Sequence, residues 1–133
     1  MKKLLTTLLF VLVASNSLAH DMTPTYPELK PSYMEGLLVA DFELFNKRND
    51  VRYYEIGVFD EDWNPIPFVS SYSIFKLEYL EKVKFSVYIR NVDRFTAMYI
   101  CSKSRSREDP SPKTIISSTI CSKFHGPGRW RDY

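Results

Sequence analysis

An all-β fold, an antiparallel sandwich of about seven strands, is what this sequence predicts, on three observations. Apolar and polar residues alternate with period two through much of the chain beyond residue 36, and no stretch carries a helical stripe with a cap. Nine Tyr, nine Phe and two Trp stand against only four Gly, a composition that suits pleated, half-buried strands. Turn signals separate the alternating runs at short intervals, as in a sandwich of short strands.

The chain divides in order. Residues 1–19 carry Lys2 and Lys3, an apolar stretch from Leu4 to Ala14, and Ser17-Leu18-Ala19. That is the layout of a secretory signal peptide, with cleavage expected before His20. The apolar stretch is too short to span a bilayer, and no later run is long enough, so no transmembrane segment is expected. Residues 20–32, rich in Pro, read as an extended N-terminal arm; 33–124 as the β-domain; 125–133 as a flexible tail.

Within the domain, Leu38, Ala40, Phe42 and Leu44 share one face of a first strand, which ends at Asn46 to Asp50. Tyr54, Ile56 and Val58 face one way in the next, and Asp60 to Pro65 is a turn. Pro65 and Pro67 confine Ile66 to an edge or irregular segment, because neither can donate to a ladder. Ser73 to Leu77 is a weak strand. Val83, Phe85, Val87 and Ile89 alternate cleanly, and Phe95–Ser102 and Thr114–Cys121 complete the set. The expected core includes Phe42, Leu44, Tyr54, Ile56, Val58, Phe85, Val87 and Tyr99, the last with its hydroxyl bonded.

Cys101 and Cys121 fall on the last two predicted strands, flanking a loop rich in charge, Ser and Pro. Outside the reducing cytosol two such cysteines stay bonded. A redox pair would want close C-x-x-C spacing, so a structural disulfide is expected. Export removes Lys2 and Lys3 from the 18 basic residues, leaving them level with the 16 acidic ones. Neutral balance argues against nucleic acid as the main ligand, since phosphate neutralisation needs clustered cations.

Tyr99-Ile100-Cys101 has the Tyr-x-Cys spacing of the tyrosine corner in immunoglobulin-like domains. The early-strand Cys of antibody domains is missing. The chain more closely resembles the N-terminal, immunoglobulin-like domain of periplasmic pilus-assembly chaperones. The likeness lies in Phe42 to Asn46, a strand ending in Asn; in Val51 to Ile66, a strand, an acidic turn and Pro-Ile; and in Tyr72 to Arg90. One branch of that family carries a disulfide where Cys101 and Cys121 stand. The resemblance implies a non-catalytic protein whose last strand engages another exported protein. That strand reads Thr114 to Cys121, with Ile116, Ser118 and Ile120 on one face. The family's cleft pair of cations, which grips a subunit's carboxylate, has no clear counterpart, although Lys123 lies near the right end.

The leading functional expectation is thus a periplasmic or secreted, non-catalytic module that binds another exported or envelope protein in a chaperone-like or adaptor-like way. It acts through a sheet edge or end loops, without a cofactor. Candidate contacts are Ile115, Ile116, Ile120 and Lys123 on the last strand, and Arg129, Trp130 and Arg131 in the tail. His20 and His125 are the only histidines, and neither sits in a motif with a nucleophile, so no enzyme is expected. One alternative is a small copper protein using His20 as an N-terminal chelate; another is a subunit of a surface or exported assembly. Asp60, Asp62 and Asn64 alternate as at the start of a calcium loop, but Pro65 and Ser71 occupy positions that need Gly and Glu, so a polar turn is expected.

Overall fold

A computed structural model describes residues 19–105 and 117–125. Most of the signal segment, the 106–116 loop with Ile115 and Ile116, and the tail with Arg129, Trp130 and Arg131 lie outside the described residues. The predicted alternation becomes two antiparallel sheets packed as a sandwich. In the first, β1 (Asp21–Thr23) and β2 (Lys30–Pro31) both pair with β3 (Leu37–Phe45). β3 pairs along its whole length with β7 (Lys82–Arg90), and β7 with the short β5 (Phe68–Val69). The second sheet runs β6 (Ile74–Lys76), β4 (Tyr53–Phe59), β8 (Tyr99–Arg105), β9 (Thr119–Lys123).

Among the described residues nine strands thus stand where about seven were expected. The additions are short pieces that alternation cannot reveal: the arm 20–32 contributes β1 and β2, and β5 is two residues long. In the long strands the register is as the pattern dictates. Ala40, Phe42 and Leu44 of β3 face Phe85, Val87 and Ile89 of β7 on the inner side, and Tyr54, Ile56 and Val58 of β4 close the core from the other sheet. Phe42 stacks on Phe85 at 5.5 Å between centroids, and Phe75 of β6 reaches Phe85 at 4.8 Å, so one aromatic cluster joins both sheets. Each such ring, fully buried, contributes about 1.5–3 kcal/mol.

β8 departs from expectation. It begins at Tyr99 rather than Phe95, because Asn91–Asp93 forms a single 3-10 turn and Ala97 plugs the core behind it. Ile100 is fully buried, whereas Tyr99 lies on the outer face, stacked on Trp63 at 4.7 Å and 9°. The expectation that Tyr99 is a core phenol was therefore off by one residue, which in a strand moves a side chain to the opposite face. The buried phenol is Tyr54, bonded at 2.5 Å to Asn46 Oδ1 and pushed by burial to a pKa of about 12.

Cys101 and Cys121 are bonded directly across β8 and β9, with Cα atoms 4.0 Å apart. The bond closes a loop of 20 residues, worth on the order of 3 kcal/mol by the chain-entropy model. Cys101→Ala is expected to lower unfolding free energy by about 2–4 kcal/mol in a denaturant titration. The native, non-reduced protein should show no reactive thiol, and two titratable thiols would contradict the pairing.

Candidate functional site

The edge strand β9 is the element where fold and chemistry meet. Ser104 N–H donates to the Ser118 carbonyl at 2.9 Å and Phe124 N–H to the Met98 carbonyl at 2.9 Å. These bonds set the antiparallel alternation: residues 118, 120, 122 and 124 exchange bonds with β8, while the N–H groups of Thr119, Cys121 and Lys123 point the other way. Lys123 N–H is used, donating to the Thr25 carbonyl at 3.0 Å; His125 N–H likewise reaches Pro27 at 2.7 Å, and Glu28 and His125 form a parallel bridge. The N-terminal segment therefore closes the edge from Lys123 onward. From Thr119 to Cys121 no described strand bonds to it, though β1, itself paired with β3, lies alongside.

The side chains divide by the same alternation. Ile120, Ser122 and Phe124 turn inward, and Ile120, half-buried, packs against the core. Thr119 and Lys123 are exposed and Cys121 is tied to β8. Of the two expected last-strand contacts that the structure describes, Lys123 is exposed and Ile120 half-buried.

Behind the start of β9 the interior is polar. Ser102 and Ser104 of β8 face inward, and His20, immediately before β1, is fully buried against them. His20 Nε2 lies 2.8 Å from Ser102 Oγ and 3.2 Å from the Ser102 carbonyl, and Nδ1 lies 3.1 Å from Ser118 Oγ. The Tyr54 ring packs on the imidazole at 4.6 Å. Burial holds the His20 pKa below its ordinary value; Arg48 adds to that, while the Ser102 carbonyl and Asp21 oppose it. With both ring nitrogens committed, His20 has no lone pair to offer a metal, and among the described residues no cluster of His, Cys, Asp and Glu could hold one. That geometry speaks against the copper reading.

Arg48, 6% exposed, continues the cluster: Nε donates to Asp50 Oδ1 at 2.8 Å, Nη2 to Asp50 Oδ2 at 2.5 Å, and Nη1 to Ser118 Oγ at 3.4 Å. The bond from Arg48 lowers the Asp50 pKa. Asn46, at the end of β3, donates through Nδ2 to the Val51 and Leu77 carbonyls at 2.8 and 3.0 Å, and its Oδ1 accepts from Arg48 N–H and the Tyr54 hydroxyl. Sequence reasoning missed this cluster because polar letters read as surface; the strand-ending Asn46 was its one visible mark. The Asp60 turn is the polar turn expected, with Oδ1 accepting from the Asp62 and Asn64 N–H groups.

Two opposed sheets, one edge strand locked by a cross-strand disulfide, and an N-terminal segment serving both sheets invite comparison with solved structures. In fold this chain is similar to part of several solved periplasmic chaperones. The Escherichia coli chaperone DraB superposes with a TM-score of 0.59 at 18% identity, over 80% of this chain and 53% of that one. A chain in the complex of Salmonella enterica SafA pilin with the SafB chaperone gives 0.59 and 18%, over 84% and 55%. The periplasmic chaperone SfaE gives 0.51 and 12%, over 83% and 58%. This chain spans a little over half the length of the chains it matches. No family model and no curated protein matches the sequence. At these identities the likeness is one of fold, and it agrees with the resemblance read from strand spacing.

Proposed function

We propose that this is an exported, non-catalytic, chaperone-like module that binds another exported protein by offering it the Thr119–Cys121 edge of β9. The observation that carries the reading is the pair of outward N–H groups at Thr119 and Cys121, to which no described strand is hydrogen-bonded although β1 lies alongside, on an edge tied to β8 by the Cys101–Cys121 bond. Such an edge accepts an extended segment through main-chain bonds. Similarity of fold to periplasmic chaperones, one of them solved with a pilin, supports both the mode of binding and a periplasmic location. Lys123, exposed at the end of the same edge, supplies a cation for an acidic group on the partner. A binding role also suits a chain in which one of its two histidines is sealed inside.

Thr119→Pro tests the edge cleanly. The Thr119 N–H makes no bond to β8, so proline removes an outward donor without touching the β8–β9 ladder. Cross-linking in intact envelopes, with the captured protein identified by mass spectrometry, should recover a specific partner with wild type and at least tenfold less of it with Thr119→Pro. Deletion from Gly126 should leave capture intact. Loss of the partner with the deletion alone would move the site to Arg129, Trp130 and Arg131.

A further inference from the structure

A second feature lies away from β9, where the turn entering β3 meets the 3-10 segment after β7. Asn91 N–H donates to the Gly36 carbonyl at 2.8 Å, and Ser32 N–H to the Leu37 carbonyl at 3.0 Å, so both walls are held by backbone bonds. Gly36, at φ +80°, makes the left-handed turn that side-chain-bearing residues avoid. Between the walls is a pocket of about 550 Å³ with Leu29, Met34, Leu37 and Leu38 as its apolar lining and Arg94 as its cation. That volume is within the range of small-molecule sites.

Arg94 is the anomaly. Its neighbour Asp93 is already paired with Arg90, whose Nε reaches Asp93 Oδ2 at 2.7 Å. No carboxylate pairs with Arg94 among the described residues, and its Nε is buried with no hydrogen-bond partner. The guanidinium lies over the ring of Phe95, 4.9 Å from the centroid. The Nε itself is shut off from solvent, so an acceptor from outside would meet the guanidinium through its Nη groups, which no described carboxylate engages. Glu28 and Glu35 also line the pocket, and both are exposed. Their charge opposes a dianion or a phosphate while a single carboxylate can still reach Arg94.

We propose that this pocket binds a small aliphatic monocarboxylate, its head on the Arg94 guanidinium and its chain against Leu29, Met34, Leu37 and Leu38. Amide-shift titrations of the full exported protein with octanoate, hexanoate, octanol, octylamine and suberate test it. Octanoate should perturb the amides of residues 29–38 and 91–95, and bind more tightly than hexanoate by about fourfold for each methylene buried. Arg94→Gln should weaken octanoate by tenfold or more while keeping the wild-type spectrum elsewhere. Met34→Asp, which puts a negative charge on the wall, should weaken it as well. Octanol binding as tightly as octanoate, octylamine or suberate binding more tightly, or shifts confined to other regions would overturn the assignment. So would a leucine-ended tripeptide with a free carboxylate that displaces octanoate at equal concentration, since the pocket would then be a peptide site.

Discussion

Asn46→Ala should destabilise the fold by about 4 kcal/mol, because four hydrogen bonds converge on one fully buried side chain and each is worth roughly 1 kcal/mol net. The loss is larger than for a surface amide, since truncation strands the Val51 and Leu77 carbonyls, the Arg48 N–H and the Tyr54 hydroxyl together. Asn46 sits where β3 ends. Its Oδ1 accepts the N–H two residues on, which turns the chain, and its amide ties that turn to the end of β6 and the approach to β4. Its own backbone bonds Glu81 and Leu80 at 3.0 and 2.8 Å, so five segments meet at this residue. For a domain of about 100 residues, 4 kcal/mol lowers the melting temperature by roughly 20 °C. Asn46→Asp should cost at least as much: it keeps an acceptor for Tyr54 but turns a carboxylate toward two carbonyls. Thermal unfolding followed by circular dichroism measures both, and a loss below about 1 kcal/mol for Asn46→Ala would show that the four bonds do not act as described.

How much of this was legible follows from what alternation encodes. β3, β4 and β7 were readable because each carries three or more apolar residues on one face, and register follows from that face alone. β8 was not. Its inward positions are Ile100, Ser102 and Ser104, so the apolar signal stops after one residue, and the outward Tyr99 next to it looks more like core than serine does. β1 and β2 are two to three residues long and flank prolines, which leaves no period to read. The polar interior was invisible for a related reason. His20, Asn46, Arg48, Ser102, Ser104 and Ser118 satisfy one another across sequence gaps of up to 98 residues, and no local pattern announces such partners. At the candidate edge, the Cys101–Cys121 bond between the last two strands was legible from the sequence. The packing of Ile120 against the core was not legible, because the inward face that it shares with Ser122 is half polar.

His20 gives the second large effect, and it appears as pH dependence. The imidazole is pinned between Ser102 and Ser118, so it joins the N-terminal strand to the hairpin that carries the candidate edge. The charged and ring groups acting on it are Arg48 from the loop after β3, itself paired with Asp50, Tyr54 from β4, and Asp21 beside it on β1. Burial lowers its pKa below 6.5 in the folded protein. Below pH 6.5 the unfolded chain therefore binds a proton that the folded chain resists, and stability rises with pH wherever the unfolded state holds more protons. The contribution is complete above 6.5 and is lost as pH falls from 6.5 toward the depressed folded value, by at most about 1.4 kcal/mol per pH unit. Asp50 acts in a separate, more acidic window, because the bond from Arg48 lowers its pKa and its contribution fades only as the carboxylate protonates below 3.8. Denaturant titrations at pH 7.5, 6.5, 5.5 and 5.0 should show wild-type stability falling over the last three. His20→Gln should be less stable at pH 7.5, and its stability should stay nearly flat across the same interval. Both proteins carry His125, so the difference between their profiles isolates His20. Parallel profiles for the two proteins, or a wild type that holds its full stability at pH 5.0, would mean that the buried imidazole does not resist the proton and that the N-terminal strand is held by other contacts.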